Sequence, residues 1–384
     1  AIARFYEIPS LIQLNRLLGL SIIFSSFGMV QNTILIKNLD YRRLFIVSSI
    51  SLIVSGIASV IAAFNGMGVY SLVVRIVLLS LCKSILLWII NPWKPAFTFS
   101  FDELKSLLKF SIGIMGSNIT NVIFDNLYYV VIGKLFSTAN LGFYRKAKSL
   151  QDTPVIFVNQ LVTALYPAMA KIQGQHNILA RFINDYVRRI AFISFPLVII
   201  VFFSAPEFVE ILLTDKWMPS VKLLRIFCVG GFFYSLTFYF HRILFIKNKT
   251  SLFFKAEMLK KVAFVLAIVL GYQFGLEGMA FGYSLVNVVF FIVYSFLSIK
   301  ISELKTVDFL KAFLPPLLIS LTALLPVYLY KNNNQHAVLV VFMLSIGIYL
   351  LSYLILAFFI DKKSFSESKE AIRWLLKRKK TKVS

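Results

Sequence analysis

The chain has 384 residues, of which 59% are hydrophobic and only 15% are charged. Its mean hydropathy of +0.81 excludes an ordinary water-soluble domain, because a surface exposed to water needs far more charge. The net charge of +23 does not indicate a nucleic-acid-binding protein, since the lysines and arginines cluster in alternate loops between apolar runs.

Apolar runs of about 20 residues recur along the whole chain, and each can cross a hydrocarbon core of about 30 Å. Backbone groups in lipid must bond within their own segment, so long unbroken runs predict helices rather than the short alternating strands of a membrane barrel. The sequence therefore predicts an all-α, polytopic helical membrane protein. The eleven predicted spans are 8–34, 43–64, 69–91, 104–134, 148–172, 180–203, 218–246, 250–274, 276–300, 306–330 and 336–360.

The charges of the loops predict the orientation of the chain. The first loop carries Lys37, Arg42 and Arg43, whereas the next loop, 65–68, carries no charge. This alternation is the positive-inside pattern, so the basic loops and the basic tail 361–384 are assigned to the cytoplasm. Four cations fall on the outer side instead: Lys134, Arg145, Lys146 and Lys148. Their long side chains either reach the outer headgroups or point into a central cavity and bind an anion there.

Polar side chains interrupt the apolar run 104–134. They are Ser111, Asn118, Asn121 and Asp125. Their separations of 7, 3 and 4 residues place them on one stripe of a helix, at about 100° per residue. Such a stripe is tolerated in a membrane where it lines a hydrated cavity, although the two asparagines fit hydrogen bonds between helices equally well. Asp125 favours a functional role, because a carboxylate in this setting needs a cation or a proton.

Further cations lie inside other predicted spans, namely Arg16 in the first span and Arg75 and Lys83 in the third. Arg75 and Lys83 are about 80° apart around a helix, so they share a broad face but not a narrow stripe. Lys83 lies near the middle of the membrane, where its side chain cannot easily reach the headgroups. Together these cations predict a cavity that attracts a diphosphate.

The sequence contains no recognisable catalytic arrangement. It has no Gly-rich phosphate loop, no His–Glu metal motif and no nucleophile elbow. Cys82, Cys228 and three histidines are scattered along the chain, which predicts neither a disulfide framework nor a metal site. We therefore expect a protein that is not an enzyme and that has no cofactor other than a coupling ion, Na⁺ or H⁺.

Three segments carry a resemblance to a known family: NPWKPAFTFSFDELKSLLKFSIGIMGSN, FDNLYYVVIGKLFSTANLGFYRKAKSLQDTPV and LYPAMAKIQ. In their order and spacing they resemble the polysaccharide-transporter branch of the multidrug/oligosaccharidyl-lipid/polysaccharide exporter superfamily. Its members are the Wzx-like lipid-linked oligosaccharide flippases, and the chain is most similar to the colanic acid and teichuronic acid type. The similarity extends along essentially the whole chain and is sharpest from residue 91 to residue 173.

The resemblance implies a two-lobed fold of fourteen spans, with eleven present in this chain and three expected upstream of Ala1, which is not a start methionine. It divides the chain into the remainder of an N-terminal lobe (1–103), a C-terminal lobe of six spans (104–304), a terminal helix pair (305–360) and a basic cytoplasmic tail (361–384). The family moves an undecaprenyl-diphosphate-linked oligosaccharide from the inner to the outer leaflet by alternating access. The products are capsule, exopolysaccharide or the O-antigen of lipopolysaccharide.

The resemblance therefore implies a multi-pass protein of the bacterial inner membrane. Its partners would be the lipid-linked oligosaccharide, membrane lipids, a glycan polymerase and chain-length proteins, but not nucleic acid. Lys146 matches a position that is often basic in the family and Asp125 one that is often acidic, whereas Arg145 and Lys148 add charge that many relatives lack. The predicted substrate-binding residues are Arg145, Lys146, Lys148, Asn118, Asn121, Asp125, Arg16, Arg75 and Lys83.

Two alternative functions stay open at this point. One is an ion-coupled multidrug antiporter of the same fold, which should have an acidic rather than a basic cavity. The other is a membrane glycan polymerase or ligase, which would be an enzyme and would need a large outer loop with paired acidic residues or Arg and His.

Overall fold

The computed structural model describes residues 2–38, 40–91, 93, 95, 100–171, 176–302, 304–333, 337–362 and 366. These residues form helices and connecting turns with no strand among them, which confirms the predicted all-α class. The helices are α1 (Ile2–Tyr6), α2 (Leu11–Phe27), α3 (Met29–Lys37), α4 (Tyr41–Phe64), α5 (Tyr70–Ile90), α6 (Phe101–Leu135), α7 (Thr138–Lys171), α8 (His176–Phe203), α9 (Ala205–Leu213), α10 (Ser220–Phe232), α11 (Tyr234–Ile246), α12 (Thr250–Tyr272), α13 (Gly275–Ile301), α14 (Thr306–Thr322), α15 (Leu324–Asn333) and α16 (Val338–Ile360).

Many of these helices are suited to a membrane. In the described part of the chain, seven helical segments are long and apolar enough to cross a bilayer, or eight if the bent pair α2–α3 forms one span. Three further predicted spans correspond to α6, α7 and α12, which are 35, 34 and 23 residues long but carry more polar side chains. The chain is therefore a multi-pass membrane protein.

Helix boundaries differ from the predicted spans at several points. Three predicted spans are each divided into two helices, with the breaks at Gly28, Phe233 and Ala323. The fifth predicted span begins earlier than residue 148, because Ser137 caps a helix that starts at Thr138: its Oγ accepts a hydrogen bond from the backbone N–H of Asn140 at 3.2 Å. Arg145, Lys146 and Lys148 therefore lie within α7 rather than at its entrance.

The chain divides into two compact units, 1–121 (unit 1) and 122–384 (unit 2). The C-terminal lobe at 104–304, which the resemblance implies, stays a prediction.

In unit 1, α5 packs against both α2 and α4. The axes of α2 and α3 differ by 46° at Gly28, and side chains of α5 hold the chain on either side of this break. Trp88 Nε1 donates to the carbonyl of Phe27 at 2.8 Å, and Asn91 Nδ2 donates to the carbonyl of Gln31 at 3.3 Å.

Unit 2 has a core that is rich in aromatic rings. Buried residues of α7, α8, α11 and α13 form one part of this core, and a second part surrounds the rings of Tyr128, Tyr144 and Phe227. Tyr144 packs edge-on to Phe227, with ring centroids 4.9 Å apart. Such pairs contribute about 0.5–1.5 kcal/mol beyond the area they bury. The polar residues described below are thus set in a rigid frame.

The terminal helices α14, α15 and α16 pack on α8. Tyr353 donates to the carbonyl of Phe192 at 2.7 Å. At the end of α16, Asp361 accepts two contacts from the Arg188 guanidinium, each of 3.0 Å. Lys331 of α15 forms an ion pair of 2.7 Å with Glu207 of α9. The predicted terminal pair is therefore fastened to the rest of unit 2 by polar contacts as well as by apolar packing.

Helices α12 and α13 approach each other closely through glycines. A Cβ atom on Gly271 would lie 2.8 Å from the carbonyl oxygen of Gly278, and a Cβ atom on Gly278 would lie 2.5 Å from the carbonyl oxygen of Gly271. Both distances are too short for real carbon atoms. This contact, which we call the glycine seam, exists because neither position carries a side chain.

Candidate functional site

Lys148 of α7 is the centre of a polar cluster in unit 2. Its ammonium forms an ion pair with Asp152, four residues further along the helix, and lies 3.3 Å from Oε1 of Gln151. The side chain of Lys148 is only 12% exposed, and that of Asp152 is 37% exposed. Residues three and four apart share a face of a helix, so α7 alone builds this arrangement. We call Lys148, Gln151 and Asp152, with Asp125, Lys260 and Lys261, the Lys148 cluster.

Aromatic rings surround the cations of this cluster. Lys148 Nζ lies 5.2 Å from the ring centroid of Tyr283. Lys260 Nζ lies 5.6 Å from the rings of both Tyr234 and Phe264. The negative face of an aromatic ring attracts a cation, and this attraction grows when water is excluded. The rings therefore offset part of the cost of burying these ammonium groups.

Asp125 of α6 belongs to the same electrostatic neighbourhood. The lysines near enough to interact with its carboxylate include Lys261, Lys260 and Lys148. The Asp125 side chain is exposed, and the carboxylate of Glu257 also acts on it with the same sign of charge. The predicted candidates Lys148 and Asp125, which lie on the consecutive helices α7 and α6, are thus within electrostatic range of each other in unit 2.

Glu257 of α12 borders the cluster. Its Oε1 accepts a hydrogen bond of 2.6 Å from the Tyr294 hydroxyl and lies 3.7 Å from His241 Nε2. The substrate-binding residues predicted from the sequence include neither Glu257 nor Lys260 and Lys261. In the structure both lysines are buried within α12. The signal was available, because all three residues fall inside the predicted span 250–274 and ionisable residues there suggest function.

The other predicted residues of this region have different surroundings. Arg145 is exposed on α7, with its guanidinium carbon 5.7 Å from the ring centroid of Tyr129. Lys146 is half-buried on the same helix. Asn121 of α6 is exposed, whereas the side chain of Asn118 lies outside those that the structure describes.

The three remaining predicted cations lie in unit 1. Arg16 and Arg75 are exposed, whereas Lys83 is half-buried and lines a cavity beside Gly28. The two exposed arginines are not among the residues that line this cavity. Of the three predicted cations in unit 1, Lys83 is therefore the one that lines a cavity together with other polar side chains.

Gly231 of α10 leaves the space that Gln151 occupies. A Cβ atom there would lie 1.9 Å from Gln151 Nε2 and 2.5 Å from its Cδ, so Gly231→Ala must displace this buried amide from Lys148. We expect a loss of about 1–3 kcal/mol in stability from overpacking, measured as a lower melting temperature of the purified protein. The matched control is Gly142→Ala in α7, whose Cβ would meet the Trp217 ring at an ordinary 3.7 Å. Equal melting temperatures for the two variants would contradict this packing.

Comparison with known proteins adds a family match. Residues 1–222 match the model of a family described as "Polysaccharide biosynthesis protein". The chain is 25% identical over 323 residues to the teichuronic acid biosynthesis protein TuaB of Bacillus subtilis, which covers 83% of this chain and 67% of TuaB. It is 23% identical over 296 residues to the lipopolysaccharide biosynthesis protein WzxC of Escherichia coli, which covers 76% of this chain and 60% of WzxC. The chain thus spans about two thirds of the length of these relatives.

A solved structure has a similar fold. The lipid II flippase MurJ in an inward closed conformation superposes with a TM-score of 0.68 over 88% of this chain and 72% of MurJ, at 18% identity. This similarity confirms the predicted fold class, a polytopic helical membrane protein. The family match and the relatives confirm the resemblance that the sequence indicates.

Proposed function

Because the chain belongs to the polysaccharide biosynthesis protein family, whose model matches more than half of it, we propose that it is a lipid-linked oligosaccharide flippase. Its substrate would be an undecaprenyl-diphosphate-linked oligosaccharide, moved from the inner to the outer leaflet by alternating access. The names of TuaB, WzxC and the lipid II flippase MurJ support this proposal. The observation that carries it is the Lys148 cluster, in which an ammonium group is largely buried and lies against an aromatic ring.

The diphosphate engages Lys148 in this proposal. A diphosphate carries more charge than Asp152 and competes with it for the ammonium, since charge-assisted contacts to phosphate are among the strongest hydrogen bonds in proteins. Arg145 lies three residues before Lys148 on the same face of α7 and is exposed, so it can reach the same anion. Lys146 adds a further positive charge. The Lys148–Asp152 ion pair then closes when the substrate is absent and opens when it binds.

Asp125, Asn121 and Asn118 serve the sugar or the coupling ion in this proposal. Asp125 lies among three lysines, so a change in their pairing with phosphate changes the charge around its carboxylate. Transport coupled to Na⁺ or H⁺ requires such a link, in which substrate binding changes the affinity of a carboxylate for the ion.

We further propose that the protein lies in the bacterial inner membrane with its basic tail, 361–384, in the cytoplasm. It would act beside a glycan polymerase and chain-length proteins and would not itself be an enzyme. The lipid tail of the substrate would stay in the bilayer while its diphosphate and sugars occupy the protein.

The test is transport by the full-length protein in a flippase-null strain and in vesicles that carry the lipid-linked substrate. Lys148→Gln is expected to raise the substrate concentration for half-maximal transport by about 10- to 100-fold, because a charged hydrogen bond contributes about 1.5–3 kcal/mol. The double variant Lys148→Gln/Asp152→Asn leaves no unpaired carboxylate and should fold normally, yet it should show the same defect.

The control for this experiment is Lys222→Gln. Lys222 forms an exposed ion pair with Glu277, with side chains 70% and 50% exposed, so its loss removes one charge without touching the cluster. Restored transport in the double variant would mean that Lys148 only balances Asp152, and the proposed anion site would then be wrong. Failure of the unaltered protein to restore any glycan export would contradict the flippase function itself.

A further inference from the structure

Unit 1 contains a cavity with polar and apolar walls at the break between α2 and α3. Its volume is about 540 Å³. The polar side chains that line it are Ser25, Ser26, Asn32, Ser80, Lys83 and Ser84. Apolar side chains such as Ile22 and Leu79 complete its wall. A cavity of this size with one cation and several hydroxyl groups is unusual within segments that are otherwise apolar.

The helix break builds this cavity and holds it open. Gly28 packs so closely against α5 that a Cβ atom there would lie 3.1 Å from both Ser84 Oγ and Leu87 Cδ1. Trp88 Nε1 donates to the carbonyl of Phe27 at the end of α2, which fixes the bend. The cavity is therefore preformed by backbone geometry, and a ligand does not have to create it.

The hydroxyl groups of the cavity present acceptor oxygens. Ser25 Oγ donates its proton to the carbonyl of Ile22 at 2.9 Å, and Ser26 Oγ donates to that of Ile23 at 2.7 Å. Ser80 Oγ likewise donates to the carbonyl of Ile76 at 3.1 Å. Since a hydroxyl has a single proton, these oxygens can only accept hydrogen bonds from a ligand. They suit the hydroxyl groups of a glycerol or a sugar.

Lys83 supplies the complementary charge. It lies seven residues before the end of α5 at Ile90, which is about 10 Å along the helix axis. An ammonium group has three donors and no acceptor, so it suits an anionic oxygen. The cavity as a whole therefore suits a ligand that has one anionic group, several hydroxyl groups and an apolar chain.

We propose that this cavity binds the phosphate headgroup of a lipid that also carries hydroxyl groups. Lys83 binds the phosphate, the serine oxygens accept from the hydroxyl groups, and the apolar wall contacts the first part of the lipid chain. A resident phospholipid such as phosphatidylglycerol has this chemistry, and we commit to it as the occupant. A polyprenyl-phosphate-linked sugar would instead be the transported substrate of the proposed function, and the experiment separates the two.

The experiment measures lipid binding to the purified full chain by native mass spectrometry after delipidation. The probes are phosphatidylglycerol, phosphatidylcholine and a polyprenyl-phosphate-linked sugar. Lys83→Gln is expected to weaken binding of phosphatidylglycerol by about tenfold or more, because it removes a charged hydrogen bond. Ser80→Leu, which fills the cavity without changing charge, should weaken the same binding. Phosphatidylglycerol should bind more tightly than phosphatidylcholine and the linked sugar, and tighter Lys83-dependent binding of either of these two would overturn the proposal.

Lys37→Gln is the matched control, because Lys37 is an exposed lysine of α3 in the same unit and does not line the cavity. Equal weakening by Lys37→Gln and Lys83→Gln would show unspecific attraction of charge and would overturn the proposal. So would lipid binding that Lys83→Gln leaves unchanged. Circular dichroism melting of each variant separates loss of binding from loss of fold. Because the readout is binding and not transport, this proposal can fail while the proposed function stands.

Discussion

Replacing Asp361 by leucine is expected to lower the free energy of unfolding by about 3 kcal/mol, at the lower end of the range for breaking a buried ion pair. The Asp361 side chain is fully buried and receives two contacts of 3.0 Å from the Arg188 guanidinium. Without the carboxylate, Arg188 keeps a positive charge that is only 23% exposed. The partial exposure of Arg188 lets some water compensate, which is why we do not expect the full 5 kcal/mol.

The measurement is a thermal or denaturant melt of the purified protein in detergent, with Lys222→Ala as control. That substitution breaks the exposed Lys222–Glu277 pair, and exposed pairs contribute only about 0–1 kcal/mol. Proteolysis should also show earlier release of α16 in the Asp361→Leu variant, since the pair joins the end of this helix to α8. Similar melting temperatures for both variants would mean that apolar packing alone holds α16 in place.

Gly278→Val is expected to cause the second large loss of stability, because the valine side chain would occupy the space in which α12 contacts α13 at the glycine seam. The new Cβ atom would lie 2.5 Å from the Gly271 carbonyl oxygen and 2.4 Å from the Phe274 Cβ. Backbone atoms cannot move aside as a side chain can, so α12 and α13 must separate. Overpacking of this kind costs about 1–3 kcal/mol and occasionally more. Lys260 and Lys261 lie on α12, so the Lys148 cluster should be disturbed as well.

Gly347→Ala in α16 is the matched control, since a Cβ atom there meets no other atom within 4 Å. Alanine is favoured over glycine inside a helix by about 0.5–1 kcal/mol, so this variant should be neutral or slightly more stable. Comparison of expression and melting temperature for the two variants checks the seam. A Gly278→Val protein that melts like the unaltered chain would show that the two helices can part without cost.

The helical fold could be predicted from the sequence because lipid forces each apolar run to satisfy its own backbone. Lys148 and Asp152 are four residues apart, so their ion pair also follows from local spacing. The break at Gly28 could not be located in this way. It depends on Trp88 and Asn91, which contact it from 61 and 60 residues away. The place of Lys260 inside a predicted span was visible, but its contacts with the rings of Tyr234 and Phe264 were not, because these rings come from other parts of the chain.

The two hydrogen bonds from α5 to the bent pair α2–α3 also restrict how unit 1 can move. Sliding α5 along the pair would break the bonds to the carbonyls of Phe27 and Gln31, and no water is available in hydrocarbon to replace them. The tight contact of Gly28 with Ser84 blocks rotation of α5 in place. We therefore expect these three helices to move as one rigid body, with flexing confined to the ends of this group.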